Sequence, residues 1–173
     1  SYDAKIIDIE SASVVSIELA YDTATNKFKC IFAESGPVYK SVSSANTIST
    51  QTWTHVACSR NSSGLTIYMN GVYSNSVSSI GSQQYPGTPE LFVGNNRALN
   101  RAWAGMIDEV RMYSSAITSE EILQMYYSNF YRTSATTFGF LTNQSNLTRG
   151  NYTYFASVKD SGNNENITET RLI

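Results

Sequence analysis

The sequence is poor in the residues that catalytic and nucleic-acid-binding proteins rely on. Its 173 residues include one histidine, two cysteines and three prolines, charged residues make up 15%, and the net charge is −2. Because there is no run of Lys or Arg to neutralise phosphates, we do not expect a nucleic acid partner. No apolar run approaches the roughly 18 residues that a membrane span requires, so we expect no membrane insertion by this chain.

Short segments of alternating apolar and polar residues dominate the chain and predict an all-β fold. The predicted strands cover residues 5–9, 15–21, 27–32, 38–42, 53–58, 65–69, 72–76, 91–93 and 105–113, with two more at 152–159 and 167–173 near the C-terminus. Asn70-Gly71 predicts a type I′ hairpin turn, because both turn positions require positive φ. Thr118 and Glu121 have the spacing of a capping box, which predicts one short helix over about 118–128.

Three stretches carry a resemblance to a known family. They are GMIDEVRMY at 105–113 with the helix after it, WTHVACSRNSSGLTIYMNGV at 53–72, and LFVGN at 91–95. Together they resemble the laminin-G-like, concanavalin-A-like jelly-roll domains of secreted and surface proteins. The resemblance implies an antiparallel jelly-roll β-sandwich. Since this fold carries lectins, glycanases, adhesion modules and spacers alike, it does not set the function.

The resemblance also implies a division of the chain. Residues 1–130 correspond to a laminin-G-like sandwich that lacks the family's usual first strands, and residues 131–173 form a C-terminal β-hairpin segment. This hairpin resembles the end of an immunoglobulin-like repeat of archaeal surface proteins. We expect its strands to complete an open sandwich, either in their own chain or in a neighbouring copy. The alternative is plain truncation of a larger modular protein. Because the sequence begins at Ser1 without an initiator Met or a signal peptide, we expect either a processed mature protein or an excised piece.

Glycosylation acceptors and cysteines both favour an extracellular location. Asn-x-Ser/Thr triplets begin at Asn61, Asn143, Asn146, Asn151 and Asn166, although an Asn- and Thr-rich tail produces some triplets by composition alone. Cys30 and Cys58 lie in predicted strands. In an oxidising compartment we expect them to form a disulfide worth about 3 kcal/mol, the alternative being two separate buried thiols.

Catalytic patterns in the sequence are incomplete. Ile6-Ile7-Asp8-Ile9-Glu10 partly matches the Glu-x-Asp-x-Glu strand of glycanases that share this fold. Ile6 stands at the nucleophile position, whereas a retaining glycosidase needs two carboxyl groups about 5 Å apart. The lone His55 on a strand is typical of a structural, hydrogen-bonded residue. We therefore expect no enzymatic activity and no catalytic residues.

Two binding sites remain as candidates. Asp108, with Asn95 and Asn96, is a weak calcium candidate, because hard cations prefer oxygen ligands; the alternative is a carboxylate that accepts backbone amides or pairs with an arginine. No other cofactor is expected. Asn95, Asn96 and Asn100 with Trp103 form a candidate glycan-binding loop, since a sugar ring stacks on an aromatic face while its hydroxyls bind amides.

These features together predict a non-catalytic, extracellular structural module of a cell-surface fibre, filament or layer. Its expected partners are copies of itself or other surface-protein domains. The alternative is a carbohydrate-binding or adhesion module of a larger secreted protein, and a degenerate glycanase comes third.

Overall fold

A computed structural model describes residues 3–11, 14–35, 38–78, 81–84, 87–132, 138–142, 147–159 and 162–173. In chain order, the elements of these residues are β1 (Asp3–Glu10), β2 (Val15–Asp22), β3 (Lys27–Glu34), β4 (Val38–Ser43), β5 (Val56–Asn61), β6 (Gly64–Met69), β7 (Val72–Ser78), β8 (Glu90–Val93), α1 (Ser119–Tyr127), β9 (Ser128–Arg132), β10 (Phe138–Thr142), β11 (Thr153–Tyr154), β12 (Ser157–Lys159), β13 (Glu165–Ile167) and β14 (Arg171–Leu172). Strands thus dominate the described residues, which confirms the predicted all-β class.

Two antiparallel sheets form the body of the molecule. The five-stranded sheet has the order β4-β3-β2-β1-β8, and the three-stranded sheet has the order β5-β6-β7. Their apolar sides meet in one core, which contains Ile6, Leu19, Phe28, Cys30, Phe32 and Val42 from the first sheet and Leu65 and Ile67 from the second. This arrangement agrees with the predicted β-sandwich.

Strand register determines which side chains enter the core. Ile7 lies opposite Leu19, which in turn lies opposite Cys30. The register of β1 shifts between Lys5 and Ile7, and both Ile6 and Ile7 contribute to the core. This β-bulge therefore changes which residues of β1 share a face.

A disulfide joins the two sheets, as predicted. Cys30 of β3 and Cys58 of β5 are bonded, with Cα atoms 6.0 Å apart. Cys30 is fully buried in the core.

Helix α1 begins where the capping box predicts. The Thr118 hydroxyl accepts the Glu121 amide at 3.2 Å, and the Glu121 carboxylate accepts the Thr118 amide at 2.7 Å. Asn70 and Gly71 adopt φ values of 51° and 79°, as the predicted turn requires. A Cβ on Gly71 would lie 2.9 Å from Leu123 Cδ1. Glycine therefore permits both the turn and the close approach of the helix.

The predicted strand over 105–113 is wrong. No described strand pairs with this segment, and Glu109 adopts φ 52°, which interrupts an extended chain. The Asp108 carboxylate accepts the Glu109 amide at 2.9 Å, and Arg111 forms an ion pair with Glu109. These local contacts stabilise the backbone conformation around Glu109. A strand here would also have required a neighbouring strand to pair with its backbone, and the described residues do not supply one.

The chain divides into two compact units, Ser1–Thr142 and Asn143–Ile173. β9 pairs with β10 inside the first unit, and the predicted boundary at residue 130 falls within β9. In the second unit, β11 pairs with β14 and β12 with β13. Tyr152 and Ile173 extend this ribbon by exchanging two backbone hydrogen bonds of 2.9 Å. The predicted C-terminal hairpin is thus present.

Candidate functional site

The loop after β8 uses its amide side chains to hold its own backbone. Asn95 Oδ1 accepts the amides of Asn96 and Arg101, both at 3.0 Å. Asn96 Oδ1 accepts the Asn100 amide at 3.1 Å. The carbonyl oxygens of two predicted glycan-binding amides are therefore engaged within the loop, whereas Asn100 is exposed.

Trp103 closes this loop against the core. Its ring lies 5.6 Å from that of Tyr21 and 6.3 Å from that of Phe28. Its Nε1 donates to the Met106 carbonyl at 3.3 Å, and its amide donates to Gly94 at 2.9 Å. The half-buried indole therefore presents only part of its surface to a ligand.

The proposed calcium ligands have other partners as well. Asp108 is exposed and accepts the Glu109 amide, while Asn95 and Asn96 accept the loop amides. Within the described part of the chain, no three His, Cys, Asp or Glu side chains converge as metal ligands. Calcium binding at Asp108 therefore stays a prediction.

His55 contributes to the β6–β7 turn through its backbone. Its amide donates to Asn70 Oδ1 at 3.0 Å, and its carbonyl accepts the Asn70 amide at 2.8 Å. Burial, and then the charge of Arg111, lower the pKa of the His55 ring. The imidazole therefore favours its neutral form.

Three of the five glycosylation acceptors lie within the described residues. Asn61, Asn151 and Asn166 are exposed, whereas Asn143 and Asn146 lie outside the described residues. Asn61 Oδ1 accepts the amides of Ser63 at 2.8 Å and Gly64 at 3.2 Å. Asn61 thereby shapes the β5–β6 turn, and the exposure of all three leaves room for a sugar.

The glycanase-like strand is divided between two faces of its sheet. The bulge in β1 places Ile6 in the core, whereas Asp8 lies opposite Glu18 on the other face. Glu10 accepts the Arg97 amide at 2.5 Å. Ile6 therefore supplies neither a carboxylate nor the orientation that the glycanase pattern needs at the nucleophile position.

A charged cluster on this outer face was not predicted from the sequence. Lys5 forms an ion pair with Glu18, and both side chains are buried. Asp8 is 1% exposed, and among the described residues its Oδ1 has no hydrogen-bond partner. Burial raises the pKa of Asp8 to about 7, with smaller contributions from Glu18 and Glu10. Lys5 and Asp8 are three positions apart, which regular alternation would place on opposite faces, so the strand pattern offered no signal for this cluster before the β1 bulge was known.

No helix among the described residues is both long and apolar enough to cross a membrane. The helix that the structure describes has nine residues.

Comparison with known proteins identifies the family. A laminin G-type model of the concanavalin A-like lectin/glucanases superfamily matches residues 1–123. No curated protein sequence matches the chain significantly. One similar solved structure is a fragment, residues 221–444, of an S-layer domain-containing protein from Clostridium thermocellum. It is 21% identical with a TM-score of 0.36, and the match covers 72% of this chain and 63% of that one. The family match confirms the predicted resemblance: this chain belongs to the concanavalin A-like lectin/glucanases superfamily.

Proposed function

We propose that this chain is a non-catalytic structural module of an extracellular cell-surface fibre, filament or layer. Copies assemble by strand complementation, in which the C-terminal hairpin of one copy joins an open edge of the next. The observation that carries this proposal is the exposure of the hairpin's apolar side chains: Val158 is 70% exposed, Ile167 56% and Leu172 65%.

A two-stranded hairpin of this kind gains stability from a partner sheet. Isolated hairpins are marginally stable in water, and burial of one Ile or Leu side chain is worth about 1.5–3 kcal/mol. Docking Ile167 and Leu172 against another sheet would therefore stabilise an otherwise marginal hairpin by at most about 3–6 kcal/mol.

The segment 105–113 is the acceptor in this proposal. No described strand pairs with it, and Met106, Val110 and Met112 are exposed. A segment that has no partner strand and exposes apolar side chains is a suitable acceptor for an added strand. Because donor and acceptor are different surfaces of the same chain, the contact is heterologous and extends into a fibre unless it closes.

The hairpin has two faces, and the glycosylation acceptor Asn166 lies on one of them. Val158 lies opposite Asn166, so both share one face. Ile167 lies opposite Ser157, and Leu172 lies opposite Thr153, on the other face. A sugar on Asn166 requires solvent. We therefore assign the Ile167 and Leu172 face to the interface, and the Asn166 face to the exterior.

A pair of matched double variants tests this assignment. Ile167→Thr with Leu172→Thr removes apolar surface from the proposed interface, whereas Tyr154→Thr with Val158→Thr removes it from the opposite face. Electron microscopy and sedimentation velocity should show fibres for the wild type and the control, and dispersed protein for the first variant. Equal assembly of both variants would exclude docking through this face.

Mass spectrometry of the native material tests the exterior location independently. We expect sugars on Asn61, Asn151 and Asn166, which are exposed, and also on Asn143 and Asn146. The disulfide supports an oxidising compartment. If native fibres carried no sugar on these acceptors, the glycosylation proposal would be rejected, whereas the assembly proposal would stand.

Glycan binding is the second candidate, favoured by the superfamily match. In this case, exposed Asn100 and the free part of Trp103 contact the sugar. A saturable response on a glycan array that Asn100→Ala abolishes would support it. Absence of binding across the array would reject it.

A further inference from the structure

The outer face of the five-stranded sheet brings an amine and a carboxyl group into contact away from bulk water. Lys5 Nζ of β1 contacts Glu18 Oε2 of β2, and the side chains are 9% and 8% exposed. Both side chains come from paired strands, so the sheet fixes their separation. Burial of two charges is unfavourable before their attraction is counted.

A third group adjoins this pair. Asp8 lies directly opposite Glu18 in the β1–β2 register, and it is almost fully buried. Its Oδ1 makes no hydrogen bond to any residue that the structure describes. Burial raises the pKa of Asp8 to about 7, so near neutral pH this carboxyl group both holds and releases a proton.

We propose that Lys5 and Glu18 condense into an amide bond that links β1 covalently to β2, with Asp8 as the proton-transfer group. The modification is an intramolecular cross-link formed by the folded chain. It is independent of strand complementation and of glycan binding.

The reaction is a condensation and needs no oxidant or cofactor. One proton passes from the ammonium of Lys5 to the carboxylate of Glu18, which gives a neutral amine and a carboxylic acid. The Lys5 Nζ lone pair attacks Glu18 Cδ, a C–N bond forms, and one Cδ–O bond breaks. Asp8 takes the proton that nitrogen loses and returns a proton to the departing oxygen. One water molecule leaves, and Asp8 ends as it began.

Three physical features favour this step. The sheet holds the reacting groups together, so the reaction needs no encounter in solution. Their effective concentration is far above any that separate molecules can reach. A positioned carboxyl group is an efficient proton shuttle when its pKa lies near the working pH, as the pKa of Asp8 does at about 7. The product is neutral, so it removes the cost of keeping two charges in a buried site.

A plain buried ion pair is the competing interpretation, and mass separates the two. The full chain is produced in a host that does not add N-glycans, and its disulfide is reduced and its thiols are capped. The cross-link lowers the intact mass by one water molecule relative to the sequence with two capped thiols. Proteolysis should then give a branched peptide that joins Lys5 to Glu18, and trypsin should not cleave after Lys5.

Two observations on the wild-type chain would overturn the proposal. One is an intact mass equal to that of the capped sequence after prolonged incubation at neutral pH. The other is a mass lower by one water molecule that fragmentation places at different residues.

Matched variants test the individual roles. Lys5→Met should restore the full mass, and Asp8→Asn should slow formation of the cross-link at least tenfold. Glu90→Gln changes an exposed carboxylate on β8 of the same sheet and should leave the rate unchanged. Circular dichroism establishes that each variant is folded. If the folded Asp8→Asn variant formed the cross-link at the wild-type rate, the role of Asp8 would be overturned. If that variant did not fold, the wild-type mass would be the deciding measurement.

Discussion

The five-stranded sheet has two buried faces that differ in chemistry. Its inner face presents Leu19 and Cys30 to the sandwich core, whereas its outer face carries Lys5, Asp8 and Glu18. Apolar side chains gain free energy directly from leaving water. Polar and charged side chains lose the favourable free energy of hydration, and only hydrogen bonds or ion pairs inside the protein offset that loss. The inner face should therefore respond to changes in volume, and the outer face to changes in protonation.

The largest expected effect is on the inner face. Phe28→Ala removes a buried ring that packs against Tyr21 and Trp103. We expect a loss of about 3–5 kcal/mol in the free energy of unfolding, because the cavity cannot collapse fully. Urea unfolding measures it, with exposed Tyr39→Ala as the control. A loss below about 1 kcal/mol would mean that the core is not packed as described.

The outer face should make stability depend on pH. The pKa of Asp8 rises from 3.8 to about 7 on folding, chiefly through burial. Its contribution to stability is fully present below pH 3.8 and is lost as the pH rises through 7. About three pKa units at 1.36 kcal/mol each set an upper limit near 4 kcal/mol. Because burial is the largest cause of the shift, the pKa of Asp8 is raised whether or not Glu18 is charged.

Comparison of the wild type with Asp8→Asn isolates this contribution. Denaturant unfolding at pH 4, 6 and 8 should show the wild type weakening as the pH rises and the variant changing much less. A difference between the two proteins that stays constant with pH would show that Asp8 is ionised in the folded protein.

The disulfide ties the inner face of one sheet to the other sheet. Replacing Cys30 and Cys58 by Ala should cost about 3 kcal/mol, mainly by freeing the unfolded chain. Thermal unfolding of oxidised and reduced wild type provides the same comparison without a mutation. If reduction left the melting temperature unchanged, the cross-link would contribute nothing to stability.

The smallest expected effect is at an outer-face hydroxyl. Ser16 is 2% exposed; its hydroxyl donates to the Gln84 carbonyl at 2.9 Å and accepts from the Gln83 side chain at 3.1 Å. Ser16→Ala should cost about 1–2 kcal/mol, because it leaves buried polar partners unpaired. Ser76→Ala on exposed β7 is the control. A neutral Ser16→Ala would indicate that water replaces the lost hydroxyl.

Features set by neighbouring residues could be predicted from the sequence. The capping box of Thr118 and Glu121 and the turn at Asn70-Gly71 depend on a few adjacent positions, and both formed as expected. The Cys30–Cys58 disulfide was also predicted, because alternating patterns placed both cysteines in strands and one pairing was available.

Features set by distant residues could not be predicted. The segment 105–113 has a strand pattern, but a strand also needs a neighbour, and an alternating sequence cannot provide one. The bulge at Ile6 separated residues that regular alternation would have placed on one face. The contact between Lys5 and Glu18 depends on the β1–β2 register. Similarly, the packing of Trp103 on Tyr21 depends on a loop closure that spacing alone does not reveal.

The disulfide has a mechanical consequence for a module under tension. Cys30 and Cys58 are 28 positions apart. Force applied through the chain termini would pass across the sulfur–sulfur bond and bypass the end of β3, all of β4 and the start of β5. At about 3.4 Å per extended residue, roughly 95 Å of chain could not be drawn out while the bond is intact. The oxidised module would therefore extend less under force than the reduced one. Fewer of its residues would have to refold once the force is removed.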